Sequence, residues 1–418
     1  MINNSVGKQN IILDRNCILS SSEKLDTWLQ KNGWAGYDPY DIKGTPLFLY
    51  LQRLSPQAPL HRKALRRALF ALENRYPLLM RRLFGVKKQI NAKAMGLFAK
   101  AYLNLYEVTL EERFRDEAIE CLDWLLSNHS PGYSGLCWGY PFHWQSKVFI
   151  PRGTPSAVVS CVVGDGFWTA YQILRDKKYL DACESICRFL INDLNIDEID
   201  EDCICFSYTP VDDFHVHNAN LFAAEFLIRV GQELKEICYL ELGRRAANYA
   251  LREQNSDGSL YYWGRIQNHY SPHHIDHYHS GFEIRMLYGI WRLTRDSHFR
   301  EATQKYFHFY LDNLVAKSNG QIIPKMTPHR LYPINIHSCA EAILCNATLA
   351  DEFEEARLIL VGLCDWIVTN MQTEAGWFIY MILKGWAGER RIEIPYIRWG
   401  QAWMLLALST CLLVMNAG

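Results

Sequence analysis

The chain has 418 residues, with 44 Lys and Arg against 45 Asp and Glu, and is 49% hydrophobic and 13% aromatic. That length fits two or three average domains or one large closed architecture. A net charge of −1 excludes a broad electrostatic footprint for nucleic acid or anionic lipid, because no excess of basic residues exists to neutralise phosphates.

The amino terminus opens polar and lacks the basic and apolar regions of a secretory signal. The 13 cysteines are odd in number and scattered through apolar runs, which predicts reduced thiols and a cytoplasmic location rather than a disulfide framework. Residues 1–44 read as a wrapping segment with a short helix near Glu23–Lys31. An amphipathic helix is expected over Leu60–Leu83, and from there two kinds of helix alternate. One kind is apolar nearly all round, as in Ala94–Tyr106, Ala157–Leu174, Leu221–Val230, Phe282–Leu293, Ala340–Leu349 and Ala402–Val414. The other carries a charged face, as in Glu111–Leu126, Lys178–Leu190, Lys235–Arg252, Phe299–Leu314 and Asp351–Thr369. With Lys93, Pro155, His217, His279, His337 and Trp399 as junction markers, the repeat separations are 62, 62, 62, 58 and 62.

A helix apolar on all sides is buried on all sides, and one with a single apolar stripe lies at the surface. Six of each predict an all-α, closed (α/α)6 toroid, with inner helices around an axis and outer helices covering them. The period is too long for stacked tetratricopeptide units of about 34 residues. No Pro-, Gly- or Ser-rich linker divides the chain, so 1–418 is expected to be a single domain. No integral membrane segment is expected.

The inner helices would start at one mouth of the ring, where the loops are rich in aromatic, His and Arg residues. Aromatic faces and hydrogen-bonding groups together suit a sugar chain, and six helix N-termini favour an anionic group on it. His217, His279 and His337 share one register, and with Tyr278 they are the candidate proton-transfer groups. Glu283 and Glu341 stand one turn deeper and supply either a carboxylate pair for glycoside hydrolysis or support for the imidazoles. Asp276 is a further acid/base candidate, as are the loop residues Asp212 and Asp213. Trp138, Tyr140, His143 and Trp144 form an expected stacking wall. His215, Asn218, His277, Tyr396 and Trp399 are expected to contact substrate, and Arg398 is placed to clamp a carboxylate. No metal or cofactor is expected, since the histidine pairs lack the usual ligand spacings and Cys203-Ile-Cys205 has no partner pair.

Several short motifs resemble a family of toroid proteins encoded with bacterial surface-polysaccharide assembly genes. They are Gly36-Tyr-Asp-Pro-Tyr-Asp41, Lys93-Ala-Met-Gly-Leu-Phe98, Cys137-Trp-Gly-Tyr-Pro-Phe-His-Trp144, His217-Asn-Ala-Asn220, Asp276-His-Tyr-His-Ser-Gly281, His337-Ser-Cys-Ala340 and Arg398-Trp-Gly-Gln-Ala-Trp403. More broadly the chain is similar to the six-hairpin toroids of glycoside hydrolases, uronate lyases and glucuronyl epimerases, which implies an active site at one mouth of the ring. Gln254…Tyr262 and Gln372…Trp377 resemble the Gln…Gly…Trp repeats of terpene cyclases, but the D-x-D-D acid motif of those enzymes is missing. The expected function is an enzyme that takes a proton beside the carboxylate of a uronate-containing glycan, as a lyase or C5-epimerase. A carboxylate-pair hydrolase and a non-catalytic glycan-binding scaffold are the alternatives. The expected partner is an acidic oligosaccharide or polysaccharide, and no nucleic acid.

Overall fold

Long apolar runs punctuated by capping residues fold here into helices, with only short strands in the loops between them. The computed structural model describes residues 15–417 apart from Asn319 and Ala387, so residues 1–14 of the expected wrapping segment lie outside the described residues. The helices begin with α1 (Arg15–Asn32), α2 (Pro46–Gln52), α3 (Leu60–Arg75) and α4 (Pro77–Leu83). Then come α5 (Ala92–Thr109), α6 (Glu112–Ser127), α7 (Ala157–Leu174), α8 (Lys177–Asp193), α9 (His217–Leu234) and α10 (Ile237–Glu253). The last five are α11 (His277–Thr294), α12 (Ser297–Asn313), α13 (Ile336–Leu349), α14 (Glu354–Met371) and α15 (Ala402–Ala417), the final one entered through a π turn, Ile397–Gln401.

Helices α5, α7, α9, α11, α13 and α15 each pack on the next, and α15 packs back on α5. The ring is closed. Every residue of α9 from His217 to Ile228 is buried, which is why the sequence there is apolar on all sides. The same burial explains why Ala157–Leu174 and Ile397–Asn416 are long and apolar enough to span a membrane: most of each is packed inside the ring.

Helices α6, α8, α10, α12 and α14 cover α5, α7, α9, α11 and α13 in turn. The sixth outer place, over α15, is taken by α1 and not by Leu60–Leu83. Ile18, Leu25 and Leu29 of α1 enter the main core, and Ser21 and Gln372 exchange hydrogen bonds of 2.8 and 2.9 Å. The expected helix over Leu60–Leu83 breaks at Tyr76, where Pro77 starts α4, and these two helices bury only Glu73, Met80 and Arg81. They cover a small satellite cluster of Ile42, Phe48 and Met80. Amphipathic spacing shows that a helix has a buried stripe, but not which core the stripe faces.

The inner-to-outer links are minimal. Leu110, Arg175, Lys235 and Arg295 end the first four inner helices with φ of 60, 58, 59 and 60°. Each left-handed residue stops its helix, and Glu111, Asp176, Glu236 or Asp296 next to it becomes the following N-cap. The outer-to-inner links are long and hold antiparallel strands: β1 (Trp144–Gln145) with β2 (Phe149–Ile150), and β3 (Ile196–Glu198) with β4 (Ile204–Phe206). Two more sheets are β5 (Val315–Ser318) with β6 (Gln321–Pro324), and β7 (Ile334–Asn335) with β8 (Met381–Gly385) and β9 (Gly388–Ile392). All elaboration therefore gathers at the mouth where the inner helices begin. The cysteines are free thiols, all buried except Cys17 and Cys238.

Candidate functional site

Helix starts are set by capping bonds. The side chains of Asn91, Ser156, Asp276 and Asn335 accept from backbone N–H groups in the first turns of α5, α7, α11 and α13. Two residues after each N-cap position comes the second residue of the inner helix. Around the ring these are Lys93, Val158, Asn218, Tyr278, His337 and Arg398, at separations of 65, 60, 60, 59 and 61. All six line one axial cavity, with about 620 Å³ of empty space counted out to its mouth. Tyr140, Phe142, Trp144, Tyr208 and Tyr262 from the long loops, Tyr40 from the N-terminal segment, and His279, Phe282 and Trp399 complete the lining.

The first residue of each helix is turned by about 100° and faces the outer layer. His217 and His277 occupy this place. His217 Nδ1 donates to the Tyr261 carbonyl at 2.6 Å, and its ring lies against Tyr249, so it does not reach the cavity. Burial holds its pKa below the ordinary value. His277 Nδ1 faces the carbonyls of Lys325 and Leu314 at 2.9 and 3.1 Å, and Tyr310 Oη donates to its Nε2 at 2.7 Å. Burial pushes its pKa down to about 4. Both are packing groups. His217, His337 and His279 are the first, second and third residues of their helices, which is why only two of the three expected imidazoles meet.

Those two are His337 and His279, with the Tyr278 ring between them at 4.8 and 4.3 Å. His337 stacks on Trp399 at 4.4 Å, and its Nδ1 faces the Trp399 carbonyl at 3.0 Å. A carbonyl only accepts, so Nδ1 carries the proton and Nε2 keeps its lone pair. Burial, then the charge of Lys93, holds His337 well below the usual imidazole pKa, so the ring stays neutral.

His279 is oriented by Asp276, whose Oδ2 accepts from Nδ1 at 2.7 Å while Oδ1 caps the helix at His279 N. His274 Nε2 donates to the same Oδ2 at 3.0 Å. Burial alone would raise the Asp276 pKa, but the two imidazoles hold it well below the carboxylate range. His274 is raised in return by that hydrogen bond. The donor atoms of His274, Asp276 and His279 lie within 4.8 Å of one another and are the residues able to hold a metal. The hydrogen-bonded arrangement is that of a carboxylate fixing the tautomer of a base.

In the sequence Lys93 is only a junction marker, yet it is the most perturbed cation on the axis. It is 4% exposed, its Nζ lies over Trp403 and Phe282 at 5.3 and 5.7 Å, and no described residue hydrogen-bonds it. Burial, helped by the charge of Arg398, pushes its pKa down to about 7. The signal that would have found it is the capping Asn91, two residues earlier.

Arg398 lines the cavity, but its fork is occupied. Asp38 accepts from Nε and Nη2 at 2.5 and 2.7 Å, so Arg398 is not the free carboxylate clamp expected. Arg81 of α4 in turn holds the Asp38 carbonyl at 2.7 Å and the Asp41 carboxylate at 2.9 Å.

Other expected site residues lie elsewhere. Glu283 accepts from Tyr306 Oη at 2.6 Å toward the outer layer, and burial raises its pKa well above the usual carboxylate value. Glu341 takes Arg285 bidentately at 2.6 and 3.0 Å. The two do not form a pair, and neither lines the cavity. Of the expected wall, Tyr140 and Trp144 are in place and join Phe142, which stacks on Tyr140 at 5.4 Å. Trp138 is instead buried against Phe167 and donates to the Leu125 carbonyl. His143 stacks on Phe149 outside the cavity. His215 is tied between Tyr249 Oη and Asp197, each at 3.0 Å, and Tyr396 packs under Arg81 and against Tyr380. Asp212 caps its own loop through Tyr208 N and Phe214 N, and Asp213 is not part of the lining.

No protein-family model matches the sequence, and no curated protein matches it. Solved structures do. D-mannose isomerase superposes with a TM-score of 0.58 at 13% identity, over 78% of this chain and 88% of that one. An unsaturated glucuronyl hydrolase specific for heparin gives 0.59 at 12% identity, over 95% and 96%. The cellobiose 2-epimerase of Bacillus thermoamylovorans B4167 gives 0.56 at 12% identity, over 79% and 88%. The fold is the (α/α)6 toroid. At such identities the likeness is one of architecture, and the chemistry has to be argued from the cavity.

Proposed function

We propose that the protein is a carbohydrate-active enzyme that moves a proton at a sugar carbon beside a carboxylate, as a uronate lyase or C5-epimerase. One observation carries this reading. Two imidazoles that each keep Nε2 free of any described partner line the cavity, and no Asp or Glu is among the lining residues. A carboxylate-pair hydrolase needs two carboxyl groups flanking the scissile bond, whereas a proton abstractor needs a neutral base and a cation for the anion it creates.

The steps follow from the geometry. Tyr140, Phe142 and Trp144 stack on the pyranose C–H face. The His337 Nε2 lone pair takes the C5 proton, and the C–H electrons move into the carboxylate. Lys93 pairs with the resulting charge, since the Arg398 fork is already held by Asp38. A proton carried on His279 Nε2, with Nδ1 still donating to Asp276, returns to the opposite face of C5 and completes epimerisation, and exchange with water resets both imidazoles. Expulsion of the C4 oxygen, protonated by His279, completes elimination. A sugar epimerase from a ruminal bacterium is among the similar folds, which supports a sugar as the substrate.

The test is incubation of uronate oligosaccharides in D₂O, with deuterium at C5 followed by mass spectrometry and the unsaturated product by ultraviolet absorbance. Wild type incorporates deuterium, and His337→Gln does not. New reducing ends with no exchange at C5 overturn the proposal, as does calorimetric binding without any product.

A further inference from the structure

The helix pair α3 and α4, set apart from the ring, has a surface that no described residue covers. Residues 60–88 hold nine Lys and Arg against a single Glu. Arg81 and Glu73 pair with each other inside. The other eight cations form no ion pair with any described residue. Leu60, Leu65 and Leu72 of α3, and Leu78, Leu79 and Leu83 of α4, are exposed between them. The β8–β9 hairpin adjoins α4, sharing a groove of Tyr76, Leu78 and Leu79 with Arg391, Ile392 and one carboxylate, Glu393. Its tip residue, Trp386, is fully exposed. The near-zero net charge of the chain thus conceals a concentrated basic patch.

We infer that the exposed leucine face of α3 and α4, with its basic flanks and Trp386, docks on an anionic lipid bilayer. A second copy of the same face would bring like charges together. Nucleic acid would use the cations but leave the leucines in water. A bilayer takes both: leucines and Trp enter the boundary of headgroups and acyl chains while Arg and Lys snorkel to the phosphates. Arg81 of α4 joins this helix pair to the loop that carries Tyr40, a lining residue of the cavity.

Co-sedimentation of the full chain with phosphatidylcholine vesicles, with and without phosphatidylglycerol, tests this directly. The bound fraction should rise at least about tenfold with phosphatidylglycerol and fall steeply with salt, as exposed charges are screened. Arg66→Glu with Arg67→Glu should abolish binding, and Leu79→Glu with Leu83→Glu should weaken it about tenfold or more, with circular dichroism checking the fold of each. Absence of phosphatidylglycerol-dependent sedimentation by the unaltered chain overturns the inference whatever the variants do. So does binding that survives both double substitutions, or a dimer in light scattering that Leu79→Glu with Leu83→Glu disrupts.

Discussion

Asp38 and Arg398 stand 360 residues apart in sequence and form a buried two-bonded pair at 2.5 and 2.7 Å beside the cavity. The pair fastens the N-terminal segment to the last inner helix start, and Tyr40, carried by the same loop, packs on Trp399 at 5.6 Å. Removing one partner leaves the other charge buried and alone. Asp38→Asn should therefore cost about 3–5 kcal/mol in urea unfolding, well beyond a surface ion pair. A loss under about 1 kcal/mol would mean the guanidinium finds water instead.

Asp276 and His279 divide labour differently. Asp276→Asn keeps the helix cap but no longer holds the His279 tautomer, so turnover should fall by about 10²–10⁴ while melting changes little. His217→Gln should do the reverse. Its ring faces Tyr249 and Glu253 outside the cavity, so stability drops and deuterium exchange per folded molecule stays near wild type.

Burial favours the neutral form of Glu283 and Tyr306 Oη donates to its carboxyl, so Glu283→Gln keeps a neutral hydrogen-bonding group of the same shape. Activity should stay within about threefold of wild type. A loss on the scale expected for His337→Gln would return the carboxylate to the mechanism.

Lys93 couples stability to pH with an unusual sign. Its pKa falls from 10.5 in the unfolded chain to about 7 in the fold, so between those values the unfolded chain binds the extra proton. Stability then rises with pH across this window, and the penalty of burying an ammonium is greatest below pH 7. Lys93→Met should raise the melting temperature most at pH 6, and the gain should shrink toward pH 10. Activity on a carboxylated sugar should fall as pH rises through about 7, as Lys93 loses its charge. Lys93→Arg should move that decline to higher pH.

The assignment of α1 to the ring has its own test. Leu25 is fully buried and Leu72 is exposed. Leu25→Asp should cost more than about 4 kcal/mol and Leu72→Asp less than about 0.5 kcal/mol in denaturant titration. Equal costs would mean that α3, and not α1, closes the core.

The sequence by itself determined the ring, because a helix enclosed on every side must be apolar on every side, and that pattern recurs near every sixty residues. It also determined which mouth carries the aromatic and histidine side chains, since Tyr140, Trp144, His279, His337 and Trp399 fall in long loops or at helix starts while four of the five opposite links are two-residue turns. Tertiary structure alone decided which side chains face the axis. A shift of one residue turns a helical side chain by about 100°, so His217 and His277 point outward while their neighbours Asn218 and Tyr278 point in. It also decided that Asp38 from the far end of the chain fills the fork of Arg398, and that α1 rather than α3 completes the outer layer. Contacts between segments hundreds of residues apart leave no mark in local periodicity, which records that a face is buried and nothing about what buries it.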